Sequence, residues 1–367
     1  MKLRRLTGLL LSLVLLFCTG CSQSAAPRSA PFPTAEEQAL SSPPEDSAKA
    51  PSDQQAEETV SAEKNAPAPA QEVSFTLCAY LPVSSMTQGA AAVAEEYAGS
   101  IAALDYLVLN TGAYWDENGA LSLSDELLDA IETLQGKTAL WCTVNPQGTL
   151  IREGTAGQSI DSPQERQALA QEIAAFAEQY GLAGIDIDWE FPLDDEWEDF
   201  STFLIALKDT LSRNSEPVAL SLALYPEEIA LSEEAIAALD RIHVMAYDQF
   251  DSEGFHSTMQ TAEDAVAYFT ALGASPQQLV LGIPAYGRPL DGSAQWVFYK
   301  DIDPESISGE NPDLVGDISF NSAATAAQKT QYALEQNLGG VMVYQLLCDR
   351  NDQDALILAC ANMAENA

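Results

Sequence analysis

The chain holds 367 residues, 47% of them hydrophobic, which is enough material for one large core or two of medium size. Its 55 acidic residues against 16 Lys and Arg give a formal net charge of −39. That balance excludes a nucleic-acid partner, whose phosphates need a basic footprint, and argues against an anionic polymer as substrate, leaving neutral or amide-bearing molecules.

Residues 1–21 have the composition of a secretory leader. Lys2, Arg4 and Arg5 form its positive end, and the apolar run over 6–17 is too short for a comfortable membrane span. The leader closes on Cys18-Thr-Gly-Cys21, small residues before a cysteine, which resembles a bacterial lipobox although Cys18 stands where Leu is usual. The expectation is a lipid anchor at Cys21 that holds the protein on the extracellular face of a bacterial membrane, with plain secretion as the alternative. Across 22–71 Ala, Pro, Ser, Glu and Gln dominate and aromatics almost vanish. Such a segment cannot bury enough apolar surface to offset its ordering entropy, so a disordered tether is expected. Pieces such as Ala66-Pro-Ala-Pro-Ala70 favour extended backbone.

From 72 to 367 short apolar runs alternate with longer amphipathic ones, the pattern of a parallel α/β protein. Strands are expected at 74–80, 104–110, 138–144, 184–189, 218–223, 241–247, 279–285 and 340–345. Ser162, Pro163 and Glu165 give one helix an N-cap, a first-turn proline and a capping-box acid, and Gly181 closes it. Thr261 and Gly273 bracket a second, and helical periodicity runs over 124–134 and 322–337. Eight strands with intervening helices fit a (β/α)8 barrel, which needs ~250 residues. A doubly wound sheet lacks its Gly-x-Gly-x-x-Gly after the first strand. Cys78, Cys142, Cys348 and Cys360 are widely spaced, with no Cys-x-x-Cys or His pairing, so no metal site is expected. Cys78 and Cys142 lie in apolar runs that suit free buried thiols.

The fourth strand carries the chemistry, in the stretch Ala183-Gly-Ile-Asp-Ile-Asp-Trp-Glu-Phe-Pro192. By alternation Asp186, Asp188 and Glu190 share one face, while Ile185, Ile187 and Trp189 share the other. Carboxyl groups this close cannot all stay ionised, so at least one pKa must rise, as acid catalysis near neutral pH requires. Three acids alone leave a metal site or an acidic strand end open. The flanking residues narrow the choice. Asp-x-Asp-x-Glu after Gly-Ile and before aromatic-Pro resembles the catalytic strand of the family 18 glycoside hydrolases, the chitinase family. The sixth strand, His243-Val-Met-Ala-Tyr-Asp248, is similar to that family's Met-x-Tyr-Asp. The seventh, Leu281-Gly-Ile-Pro-Ala-Tyr-Gly-Arg288, is similar to its Gly-Ile-Pro-x-Tyr-Gly-Arg, and the eighth, Leu338-Gly-Gly-Val-Met-Val-Tyr344, to its Gly-Gly-Val-Met.

The resemblance implies a retaining glycosidase without a cofactor, in which the substrate's own 2-acetamido oxygen is the nucleophile. Glu190 would be the general acid and base, Asp188 would orient the acetamide, Asp186 would share a proton with Asp188, and Tyr247 would hydrogen-bond the acetamide carbonyl. Asp248 would contact the same sugar, with Met245, Tyr344, Tyr80, Tyr286 and Arg288 as further substrate contacts. Tyr247 and Tyr286 could also be plain barrel aromatics, and Arg288 a structural partner of a rim carboxylate. The implied partner is an N-acetylglucosamine glycan: chitin oligomers, the chitobiose core of N-glycans, or peptidoglycan. A monomer is expected.

Three departures stand against the family pattern. Ala183 replaces a leading Asp, the third strand (Ala139-Leu-Trp-Cys-Thr-Val-Asn-Pro146) lacks Ser-x-Gly-Gly, and Tyr344 replaces a tryptophan. Only about thirty residues separate Arg288 from Ser319, too few for a full α+β insertion domain. Trp115, Trp197 and Trp296 fall in expected loops, where they either stack on sugar or pack the loop. His243 and His256 have the look of ordinary structural histidines. A silent glycan-binding lipoprotein on the same fold is the rival reading, and the acid retained at Glu190 separates the two.

Overall fold

A computed structural model describes residues 75–147, 159–303, 306–307 and 311–367. The expected leader, Cys21 and the expected tether lie outside the described residues.

Local signals place the elements. In chain order the strands and helices run β1 (Thr76–Pro82), α1 (Ala90–Glu96), α2 (Ala98–Ala102), β2 (Tyr106–Trp115), β3 (Leu121–Leu123), α3 (Asp125–Leu134), β4 (Ala139–Pro146), α4 (Pro163–Tyr180), β5 (Gly184–Ile187) and α5 (Trp197–Leu211). They continue with β6 (Ala219–Leu224), α6 (Glu233–Ala238), β7 (Arg241–Val244), α7 (Met259–Ala271), β8 (Leu279–Pro284), β9 (Tyr286–Pro289), β10 (Val297–Phe298), β11 (Leu314–Val315), β12 (Ile318–Ser319), α8 (Ala323–Glu335), β13 (Gly340–Tyr344) and α9 (Leu356–Glu365). The Ser162 hydroxyl accepts from the Glu165 amide while the Glu165 carboxylate accepts from the Ser162 amide, and Gly181 ends α4 at φ 62°. The Ser124 and Ser322 hydroxyls cap α3 and α8 by accepting from the Leu127 and Thr325 amides. The expected start of α7 shifts: Thr258, not Thr261, is its N-cap, and the Thr261 amide donates to the Thr258 hydroxyl.

Eight parallel strands close into a barrel, in the order β1-β13-β8-β7-β6-β5-β4-β2, with β2 returning to β1. All eight expected strands are present. Among the described residues between β8 and α8 the chain forms a small antiparallel sheet, β10-β9-β12-β11, and no full α+β insertion.

Burial falls into two cores. Ile185, Ile187 and Trp189 join the large apolar layer between barrel and helices. The smaller core fills the barrel itself with Cys78, Tyr80, Tyr106, Val108, Trp141, Met245, Tyr247, Val280, Tyr286 and Met342. Aromatic rings dominate this inner core, and they make room by exploiting a glycine. A Cβ on Gly184 would stand 2.1 Å from Cδ2 of Trp141, so only glycine lets that indole cross the strand. The four cysteines are free and buried, and burial pushes their thiol pKa values up.

Candidate active site

The ladder of β5 stops at Ile187, two residues short of the expected strand end. Beyond it the Asp188 amide donates not to a backbone carbonyl of neighbouring β4 but to the side-chain Oδ1 of that strand's Asn145, at 2.9 Å. Likewise β7 stops at Val244, leaving Met245 to Asp248 outside the ladder. Leaving the ladder frees these residues to turn into the barrel mouth, at the C-terminal end of the strands.

Asp186 lies below that mouth, fully buried. Its Oδ2 accepts from the Tyr80 hydroxyl at 2.8 Å and the Thr143 hydroxyl at 3.1 Å. Its Oδ1 accepts from the Ser221 hydroxyl at 2.5 Å and lies 3.1 Å from Nδ1 of His243. His243 is fully buried too, and its Nε2 is 2.9 Å from the Tyr106 hydroxyl. No hydrogen bond joins Asp186 to Asp188. The expected sharing of a proton between them finds Asp186 already bonded on both oxygens.

Asp188, one alternation up the strand, has the opposite surroundings. Its Oδ1 is buried without a hydrogen-bond partner. Burial first, then the charges of Glu190 and Asp186, raise its pKa well above the ordinary aspartate range. Glu190 stands higher and partly open to solvent, and desolvation by the cleft walls, followed by the Asp248 charge, raises its pKa as well. The two carboxyls open on a cleft of about 380 Å³ lined by Tyr80, Asp188, Glu190, Phe191, Ala223, Tyr225, Glu227, Met245, Tyr247, Asp248, Trp296 and Tyr344.

The rim acid Asp248 is held from behind. It adopts φ 59°, its amide donates to Nε2 of His256 at 2.9 Å, and its carboxylate accepts from the Tyr286 hydroxyl at 2.8 Å and pairs with Arg288. Burial, with Lys329 and Arg288 nearby, lowers the His256 pKa to about 3, so the imidazole is neutral and acts as an acceptor. Tyr286 is fully buried, its ring stacked on Trp296 with centroids 3.8 Å apart, and neither it nor Arg288 lines the cleft. Both act on Asp248 rather than on the cleft surface.

The structure therefore brings Asp186, Asp188, Glu190, Tyr247, Asp248, Met245, Tyr344 and Tyr80 together. Of the three tryptophans, Trp115 and Trp197 are buried against Trp189, Phe203 and Phe200, while Trp296 lines the cleft. Sequence reasoning missed Tyr225, Glu227, Phe191 and Asn145. Alternation from Ser221 through Ala223 to Tyr225 was the available signal for the first. For Asn145, no sequence pattern marks a side chain that replaces a ladder acceptor.

Among known proteins, the family model described as Glycosyl hydrolases family 18 matches residues 56–349, more than half of the chain. The matched span opens inside the expected tether. Chitinase 1 of Aphanocladium album is 25% identical over 252 residues, covering 54% of this chain and 60% of that protein. This chain thus spans about three-fifths of the length of that fungal relative. A chitinase from the chitin utilization locus of Flavobacterium johnsoniae superposes with a TM-score of 0.66 at 23% identity, over 80% of this chain and 94% of that one. A Cycas revoluta chitinase solved in complex with (GlcNAc)3 gives 0.61 at 21%, over 78% and 99%. At these identities the structural likeness is one of fold. With the family match spanning the barrel and its acid strand, the chain belongs to glycosyl hydrolases family 18.

Proposed function

We propose that the protein is a glycosidase that cleaves β-linked N-acetylglucosamine glycans with retention of configuration, the substrate's acetamide serving as nucleophile. The observation that carries this reading is the unpartnered, buried Oδ1 of Asp188 beside Glu190. A buried acceptor without a donor is costly, and a substrate amide N–H is a group that can satisfy it.

In this reading Glu190, whose raised pKa favours the acid form, gives its proton to the glycosidic oxygen as the bond to C1 breaks. The acetamide carbonyl oxygen closes on C1, and positive charge develops toward its nitrogen. Asp188 takes the N–H and stabilises that charge, while the Tyr247 hydroxyl, its pKa raised by burial, stays protonated and donates to the acetamide oxygen. The Glu190 carboxylate then removes a proton from water, which attacks C1, reopens the acetamide and restores the acid. Two inversions at C1 give net retention. Asp248, fixed by Arg288 and Tyr286, faces the same sugar. Chitin oligomers and the chitobiose core of N-glycans are the leading substrates, with peptidoglycan third. A silent glycan-binding role is disfavoured by Glu190 standing in the cleft. The lipobox-like end at Cys21 supports anchoring on the outer face of a membrane.

Glu190→Gln keeps the shape and removes the transferable proton. Turnover of a chromogenic chitobioside should fall about 10³-fold with the circular dichroism spectrum unchanged. Equal turnover by the two proteins would sink the reading.

A further inference from the structure

Below the reacting groups lies a buried histidine that the proposed reaction does not use. His243 is fully enclosed in the barrel, and its ring touches three strands at once. Nδ1 is 2.6 Å from the Tyr80 hydroxyl of β1 and 3.1 Å from Oδ1 of Asp186 on β5, while Nε2 is 2.9 Å from the Tyr106 hydroxyl of β2. The Trp141 ring of β4 closes one side, at 6.1 Å between centroids.

The hydrogens in this cluster can be assigned by elimination. A carboxylate accepts and cannot donate, and a phenol or alcohol has one proton to give. Tyr80, Thr143 and Ser221 each direct their hydroxyl proton at Asp186. Tyr80 then has only lone pairs to offer His243, so Nδ1 must carry the hydrogen that faces both Tyr80 and Asp186. Nε2 is left as an acceptor, and the Tyr106 hydroxyl supplies its donor. One neutral tautomer satisfies every atom. This assignment belongs to the ionised carboxylate, since a proton on Oδ1 of Asp186 would turn Nδ1 into its acceptor and Nε2 into the donor to Tyr106.

We infer that His243, braced by Tyr106, is a positioning residue that holds Asp186 as an acceptor on both oxygens and so confines the proton of the Asp186–Asp188 pair to Asp188. This inference rests on the glycosidase reading and concerns the same site. Its consequence is a division of labour within the pair. Asp188 can turn its free oxygen to the substrate amide without first giving up a bond to Asp186, because none exists.

The charged and titratable groups around the imidazole are Tyr80 and Cys78 on β1, Tyr106 on β2, Asp186 on β5 with Asp188 above it, and Arg241 on its own strand. Ser221 of β6 and Thr143 of β4 are neutral, and β8 and β13 present the apolar side chains of Val280 and Met342. Changing the histidine alone removes the Nδ1–H bond to Asp186 together with the contacts to Tyr80 and Tyr106, and leaves the Tyr80, Thr143 and Ser221 bonds to Asp186 in place.

The test is the pH profile of kcat/KM on a chromogenic chitobioside for wild type, His243→Leu, His243→Asn and Tyr106→Phe. Hydrogen bonds to a carboxylate favour its charged form, so losing one makes the pair take up its second proton more readily. In His243→Leu the acidic limb should move to higher pH by about one unit, with kcat affected more than KM. His243→Asn places an amide N–H where Nδ1 was and should return the limb to its wild-type position. Tyr106→Phe takes the donor from Nε2 and should move the limb the same way by a smaller amount. A limb that stays put in both His243→Leu and Tyr106→Phe overturns the inference, as does an equal shift in His243→Leu and His243→Asn. If His243→Leu does not fold, the Asn and Phe variants decide by themselves: a wild-type limb in Asn with a shifted one in Phe supports the inference, and any other pairing overturns it. An inactive wild type would instead remove the glycosidase reading itself.

Discussion

Asp186 inside β5 and Asp188 just past its end are two residues apart and live in opposite conditions. The lower carboxylate has four donors from four different residues and no exposure. The upper one has a buried oxygen that no described residue satisfies. A fully bonded buried group fixes a structure, whereas an unbonded one stores a need that a ligand can meet. The barrel thus divides its inner polar groups into a finished floor and an unfinished mouth.

The sharpest way to separate floor from mouth is to neutralise the acids one at a time. Asp188→Asn should lower kcat about 10²- to 10³-fold, since it removes the carboxyl group that faces the acetamide cation. Its stability should hold or improve. With a folded pKa above the ordinary aspartate value, the native state keeps a proton that the unfolded chain has already released, so this group's contribution to stability falls as pH rises through that interval. Asparagine has no such loss. Asp186→Ala should do the reverse for stability and cost about 3 kcal/mol in a urea melt, because it leaves buried hydroxyl and imidazole donors without an acceptor. Equal stability losses from the two changes would erase the distinction.

How far this division was legible depends on how local its causes are. The eight strands follow from apolar runs of a few residues, and the shared face of Asp186, Asp188 and Glu190 follows from alternation alone. Met245 and Tyr247 reach the cleft for the same reason. The role of His243 was not legible, because its partners Tyr80, Tyr106 and Asp186 are 163, 137 and 57 residues away in the chain. Only barrel closure brings β1 and β2 against β7's residue. The three tryptophans were equivalent as letters, and they separate once α5, which begins at Trp197, packs Phe203 on Trp115 and Phe200 on Trp197, and the short β9–β10 turn leaves Trp296 in the cleft. Asn145 was hidden differently. It matters because β5 stops early, and no periodicity announces the last rung of a ladder.

The floor also depends on space. Gly184 opens the acid strand and lets the Trp141 ring, which closes one side of His243, lie across it. In Gly184→Ala the new methyl would enter the indole, and the surroundings are backbone and rings with little freedom to move. Overpacking of this kind costs about 1–3 kcal/mol, readable as a lower thermal midpoint. Because the displaced ring belongs to the floor, activity should fall along with stability, unlike the mouth change at Asp188.

The smallest expected effect lies at the top of the mouth. Tyr344 stands where a tryptophan is usual in the family, and it stacks on Tyr247 with centroids 5.5 Å apart. Trp296 is 38% exposed in the cleft, edge-on to Tyr344 at 6.3 Å and backed by the buried ring of Tyr286. An indole held rigid by a stacked neighbour offers a sugar face a platform at little cost in side-chain entropy, and aromatic contacts of this kind contribute about 0.5–1.5 kcal/mol. Trp296→Ala should therefore raise KM for a chito-oligosaccharide about 2- to 10-fold while kcat stays near wild type, since the ring touches no group of the acid ladder. A fall in kcat instead would mean that Trp296 acts through Tyr286 on the Asp248 carboxylate, and the rim would then belong with the floor as part of the fixed machinery.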